Sequence, residues 1–185
     1  MASKLIIGLS GEIASGKGTA ADHLCSGFSA SKHTISGILS DILKRLYLPA
    51  DRKYLQALGT TIRKELGHDV IINTLEKDIE KDRAKIVILD GVRYMNEVEM
   101  IHGMGGIVVY IGAPQKVRYE RCRGRAQKGE GGLSFEQFAE NEKKETERQV
   151  GEVKMHADYV IDNSGTVDEL FFQIDKILKG KGIII

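Results

Sequence analysis

A short apolar run that leads directly into a glycine-flanked loop and then a lysine constrains this chain more than any other feature. Leu5-Ile6-Ile7-Gly8-Leu9-Ser10 is followed by Gly11-Glu12-Ile13-Ala14-Ser15-Gly16-Lys17-Gly18-Thr19, with Gly11 and Gly16 five residues apart. In that order the loop's backbone N–H groups turn inward, the helix N-terminus adds partial positive charge, and Lys17 reaches toward an anion. Gly11 and Gly16 allow positive φ and a close backbone approach that a Cβ obstructs. A glycine-rich strand-to-helix turn can also bind nothing. Here a strand precedes the loop and a helical pattern follows it, which is the context a phosphate cradle requires.

The rest of the chain alternates in a way that suits such a cradle. Apolar, β-branched runs predict strands at Lys4 to Leu9, Lys85 to Leu89, Ile107 to Ile111 and Tyr159 to Ile161, with a weaker candidate at Lys32 to Ile35. Their near-continuous apolar character fits a parallel sheet covered on both faces. Helical spacing predicts helices at Lys17 to Ser26, Gly37 to Leu46, Arg52 to Leu66, Asp69 to Asp82, Asn96 to His102, Gln115 to Arg125, Ser134 to Val150 and Val167 to Leu178. The expected fold is a single doubly wound α/β domain over the 185 residues, with ligands at the carboxyl ends of the strands. Two regions exceed what a minimal crossover needs. Residues 36–82 hold about three helices between two strands, and residues 122–149 carry the glycine-rich run Gln127-Lys128-Gly129-Glu130-Gly131-Gly132 followed by a polar helix. Both suit idle decoration or, respectively, an acceptor-binding insert and a mobile lid.

Charge and cysteine content narrow the class. The net charge is +1 with 29% charged residues, so the balance implies no polyanion surface, and no nucleic-acid partner is expected. No apolar run approaches a membrane span. Cys25 and Cys122 are too few for a disulfide framework and lack metal spacing, which fits reduced thiols. The N-terminus enters the first strand without room for a signal peptide, so the expected location is cytoplasmic. The tail Ile183-Ile184-Ile185 suits a last strand, a subunit contact or a frayed end, and nothing in the sequence fixes an oligomeric state.

The residues that would carry chemistry fall into three groups. Asp90 follows Ile86-Val87-Ile88-Leu89, where a carboxylate at a strand tip can hold magnesium or cap the next helix; Arg93 projects from the same end. Arg118, Arg121 and Arg125 share one helical face, and Arg123 points elsewhere, toward a nucleotide base. Their position before the glycine-rich run suits a hinge that closes guanidinium groups over a transferring phosphoryl group. Arg148 suits either the same site or a surface pair with Glu145 or Glu152. Ser40, Lys44 and Arg63 place polar and positive groups on the inserted helices, where Leu39, Ile42, Leu43 and Leu46 form the apolar stripe. The five histidines have no ligand spacing, and Tyr94 and Tyr110 read first as packing residues.

With those residues in view, the chain resembles P-loop nucleotide kinases of the adenylate kinase and dephospho-coenzyme A kinase kind over nearly its whole length. Ser or Thr follows the lysine directly in motor ATPases and GTPases. Gly18-Thr19 is instead similar to the adenylate kinase branch, and no Asn-Lys-x-Asp guanine signature is present. Ser40-Asp41-Ile42-Leu43-Lys44 resembles an acceptor helix, with Lys44 where arginine is usual, and Asp90-Gly91-Val92-Arg93 resembles an Asp-Gly-Phe-Pro-Arg segment one residue shorter. Arg121 and Arg125 match lid arginines. Ala157 through Thr166, with Gly165 near its end, resembles the last strand and adenine-side loop of dephospho-coenzyme A kinases. The resemblance implies a three-layer α/β/α P-loop fold with a mainly parallel five-stranded sheet, a helical acceptor insert and a lid. It also implies ATP and Mg2+, the latter held by Thr19 and Asp90. The expected function is γ-phosphoryl transfer to a small-molecule acceptor, a (deoxy)nucleoside monophosphate first and dephospho-coenzyme A second. A nucleotide-dependent binding protein or ATPase is the rival from another class.

Overall fold

Side chains that alternate between two apolar layers define the centre of the computed structural model, which describes residues 4–124, 134–142 and 145–183. The strands are β1 (Leu5–Ser10), β2 (Ser31–His33), β3 (Ile86–Val92), β4 (Ile107–Gly112) and β5 (Tyr159–Asp162). They form one sheet in the order β2-β3-β1-β4-β5, with every neighbouring pair parallel. The helices are α1 (Lys17–Phe28), α2 (Ile35–Arg45), α3 (Arg52–Leu66), α4 (Val70–Lys81), α5 (Met95–Gly103), α6 (Gln115–Gly124), α7 (Phe135–Glu142), α8 (Glu145–Met155) and α9 (Val167–Gly180).

The period of two along the strands assigns each residue to a layer. Ile7, Ile86, Ile88, Val109 and Ile111 pack against Leu24 of α1 and Leu170, Ile174 and Leu178 of α9. Ile6, Val87, Leu89 and Val108 face the other way, onto Leu75 and Ile79 of α4, Val98 and Ile101 of α5 and Val153 of α8. This is the expected three-layer α/β/α architecture, with both faces of a parallel sheet covered. Among the described residues no helix is long and apolar enough to cross a membrane.

Several expected boundaries shift for identifiable reasons. Strand β3 does not stop at Leu89 but continues through Asp90 to Val92. Its register with β1 passes from Leu9↔Asp90 to Ser10↔Val92, so Gly91, at φ 94°, is the extra residue of a bulge. The Ser10 hydroxyl then donates to the Val92 carbonyl at 2.7 Å. Helix α2 starts at Ile35 rather than Gly37, because Thr34 caps it by accepting from the Gly37 N–H at 2.8 Å. The polar helical pattern from Ser134 to Val150 is found as α7 and α8, and α8 runs on to Met155. Region 36–82 holds α2, α3 and α4, of which α4 returns to the sheet with Leu75 and Ile79 fully buried.

Candidate active site

Between β1 and α1 the backbone takes positive φ at Gly11 (145°), Ala14 (59°) and Gly16 (108°). A Cβ at Gly11 would strike the Ile111 carbonyl, and one at Gly16 would strike the Asn163 amide. Gly16 opens α1 with no side-chain cap. The Lys17 ammonium folds back over the loop, donating to the Gly11 carbonyl at 2.6 Å and the Glu12 carbonyl at 2.9 Å. Gly18 is exposed and Thr19 half-buried in the first turn of α1. The Glu12 carboxylate and burial together hold the Tyr110 phenol protonated well above its ordinary range, burial being the larger cause. Glu12 Oε2 and the Ser15 hydroxyl are shut off from solvent and have no hydrogen-bond partner among the described residues.

The loop is tied to the far end of the sheet by a residue that the sequence motif did not single out. Asn163, 5% exposed, donates from Nδ2 to the Ser15 carbonyl at 2.8 Å, and its own N–H donates to Gly112 at 2.7 Å. Its signal in the sequence was its place at the end of a short β-branched strand, in Asp162-Asn163-Ser164-Gly165.

On the β3 side, Asp90 is half-buried and in register with Leu9, two residues before the loop's first glycine. Arg93 and Tyr94 follow the bulge, and Glu97 holds their backbone: its Oε2 accepts from the Arg93 N–H at 2.6 Å and the Tyr94 N–H at 3.3 Å. Glu97 is 1% exposed. Burial pushes it up to about 7, against the opposing pull of those two N–H groups and of the Arg63 and Arg93 charges. Arg63 of α3 lies over the Tyr94 ring, 5.5 Å from its centroid. The charges of Arg63 and Arg93 thus both act on one buried carboxylate, and Glu97, like Asn163, is a residue that the sequence motifs do not mark. Lys44 is placed differently: it is 70% exposed and pairs with Asp41 at 3.1 Å, one turn back on α2. Ser40 is half-buried on the same helix. The stripe expected on α2 divides, with Leu39 and Leu43 buried while Ile42 and Leu46 border an open hollow of about 460 Å³ against α3 and α4.

On the α6 side, Arg121 donates to the Gly165 carbonyl at 3.2 Å, and both border an open groove of about 560 Å³ between α6 and the β5–α9 loop. Arg123 lies 5.8 Å over the Tyr119 ring and 3.6 Å from Glu120, on the exposed face of α6. Arg118 does not join Arg121 in that groove. It is 5% exposed, and its guanidinium is bound by the carbonyls of Ala113 and Ile13 and by Glu142. Arg125 and the glycine-rich run lie outside the described residues, as does the Arg148 side chain.

Residues 7–148 match the family described as AAA domain. A UPF0200 protein of Pyrobaculum aerophilum is 33% identical over 123 residues, which cover 65% of this chain and 69% of the relative. A UPF0200 protein of Sulfurisphaera tokodaii is 29% identical over 177 residues, covering 94% and 96%. Among solved structures, a shikimate kinase from Bacteroides thetaiotaomicron superposes with a TM-score of 0.66 at 13% identity, over 97% of this chain and 99% of the other.

Proposed function

Because the chain belongs to the AAA domain family of P-loop proteins, we propose that it is an ATP-dependent kinase that passes the γ-phosphoryl group to a small phosphorylated acceptor. The first choice of acceptor is a (deoxy)nucleoside monophosphate. One observation carries this conclusion: a phosphate loop on β1–α1 is accompanied by a second cationic centre, Arg63 with Arg93, on the neighbouring strand β3 and the inserted helix α3. A hydrolytic switch needs one anion site, whereas phosphoryl transfer between two substrates needs two.

In this scheme the amides of Gly11 to Thr19 and the Lys17 ammonium bind the donor phosphates, Lys17 leaving the Gly11 and Glu12 carbonyls to do so. Thr19 and Asp90 supply the hydroxyl and carboxylate oxygens that suit Mg2+, an ion that takes few protein ligands alongside phosphate oxygens and water. When bound, that ion neutralises charge on the transferring group. Gly165 and Arg123 are assigned to the base, and Arg121 and Arg125 to the charge that develops in transfer. Arg93 and Arg63 hold the acceptor phosphate, supported by Ser40 and Lys44 on α2. Residues 36–82 then act as the acceptor-binding insert and residues 122–149 as the lid of a single domain.

The test is ADP release with ATP and magnesium against all ribo- and deoxynucleoside monophosphates plus dephospho-coenzyme A, with Lys17→Ala as the blank. Acceptor-dependent release, with the phosphorylated product seen by mass spectrometry, supports the kinase and identifies its acceptor. Tight ATP binding without acceptor-dependent turnover overturns it in favour of a nucleotide-dependent binding protein.

A further inference from the structure

Helical spacing groups Arg118 with Arg121, but burial separates them: the Arg118 side chain is 7% exposed and that of its partner Glu142 is 14% exposed. Its Nε donates to the Ala113 carbonyl at 2.9 Å. One nitrogen, Nη1, donates both to the Ile13 carbonyl of the phosphate loop at 3.2 Å and to Glu142 Oε1 on α7. The other oxygen of Glu142 accepts from Gln115 Nε2 at 2.7 Å, and the Phe138 ring lies 5.9 Å from the Arg118 guanidinium carbon. A single guanidinium therefore joins the phosphate loop, the β4–α6 connection and α7.

What it grips in the loop matters for anion binding. The peptide that joins Ile13 to Ala14 is trans, so its C=O and N–H point in opposite directions. With the carbonyl drawn toward Arg118, the Ala14 N–H is turned away from that guanidinium. Ala14 sits at φ 59°, a left-handed conformation that a residue with a Cβ adopts only when its surroundings hold it there. Released, this peptide can flip and present its carbonyl to the phosphates. We propose that Arg118 is a positioning residue of the nucleotide site: it sets the Ile13–Ala14 peptide with its N–H toward the donor phosphates and, through Glu142, makes that orientation depend on the seating of α7. The proposal rests on the kinase reading of the same loop.

Isothermal titration of ADP into the full chain tests it, using wild type, Arg118→Lys, Arg118→Ala and Glu142→Gln, with circular dichroism and a thermal midpoint for each. Lysine keeps a charge beside Glu142 but lacks the fork that reaches two carbonyls. Arg118→Lys is therefore expected to fold and to bind ADP about tenfold more weakly, with Arg118→Ala weaker still. Glu142→Gln shifts affinity in the same direction, and it carries the test if both arginine variants are unfolded. In turnover the KM for ATP rises while that for the acceptor stays unchanged. An arginine of purely structural role lowers the midpoint and leaves ADP affinity within twofold of wild type in every folded variant; that result overturns the proposal alone. A wild type that binds no ADP overturns the kinase reading and this proposal with it.

Discussion

At Gly16 the backbone angle of 108° and the neighbouring Asn163 amide leave no place for a side chain. Gly16→Ala is expected to lower stability by about 1–3 kcal/mol, measured by urea unfolding, and to weaken ADP binding in the same protein. Glu97 gives a pH-dependent prediction. Its carboxyl titrates near 4.5 when free, and burial pushes it up to about 7 in the folded chain. Between those values the folded chain holds a proton that the unfolded chain has released. Its contribution to stability is therefore full below about 4.5 and lost as pH rises to about 7. Unfolding free energies measured from pH 4.5 to 8 should fall across that window by on the order of 3 kcal/mol, and Glu97→Gln should flatten the profile. The loop that carries Lys17 was legible residue by residue, because such a loop encodes its own geometry. Glu97 was not, because an acid one turn into a helix has the same local pattern whether it is exposed or buried.

Elements were easier to read in their middles than at their ends. The strand expected to stop at Leu89 runs to Val92, since a glycine bulge lets β3 skip one residue and resume pairing. The helix at the C-terminal end was legible in its spacing but runs two residues past the expected Leu178, to Gly180, and a box fixes its start: Thr166 accepts from the Glu169 N–H at 3.2 Å, and Glu169 returns the bond to the Thr166 N–H at 2.9 Å. Behind that box, Leu170, Ile174 and Leu178 recur at spacings of four on the buried face. Thr166→Ala should therefore cost about 1 kcal/mol of stability, visible as a lower urea midpoint at an unchanged slope. The stripe on α2 was misjudged in part, because periodicity tells which residues share a face but not how wide a face the neighbouring helices cover.

At the scale of the whole molecule, the two apolar layers carry the fold, α4 of the insert among them, while the outer face of α2 carries little of it. Ile79 is fully buried beneath the sheet, whereas Ile42 is 37% exposed at the hollow between α2 and α4. Ile79→Ala should lose about 2–5 kcal/mol and Ile42→Ala less than about 1 kcal/mol in denaturant unfolding. Equal losses would mean that the hollow closes in solution. The sequence by itself determined the phosphate loop, the alternation of strands and helices, and the parallel, doubly covered sheet. Each follows from φ requirements, side-chain period and β-branched composition, which act within a few residues. Only the tertiary structure decided that Asn163 holds Ser15 across 148 positions, that Arg118 grips Ile13 across 105, and that the charges of Arg63 and Arg93 both act on the buried Glu97. Such partners leave no local signature, because they are set by which strands lie side by side and by how much of each helix its neighbours bury.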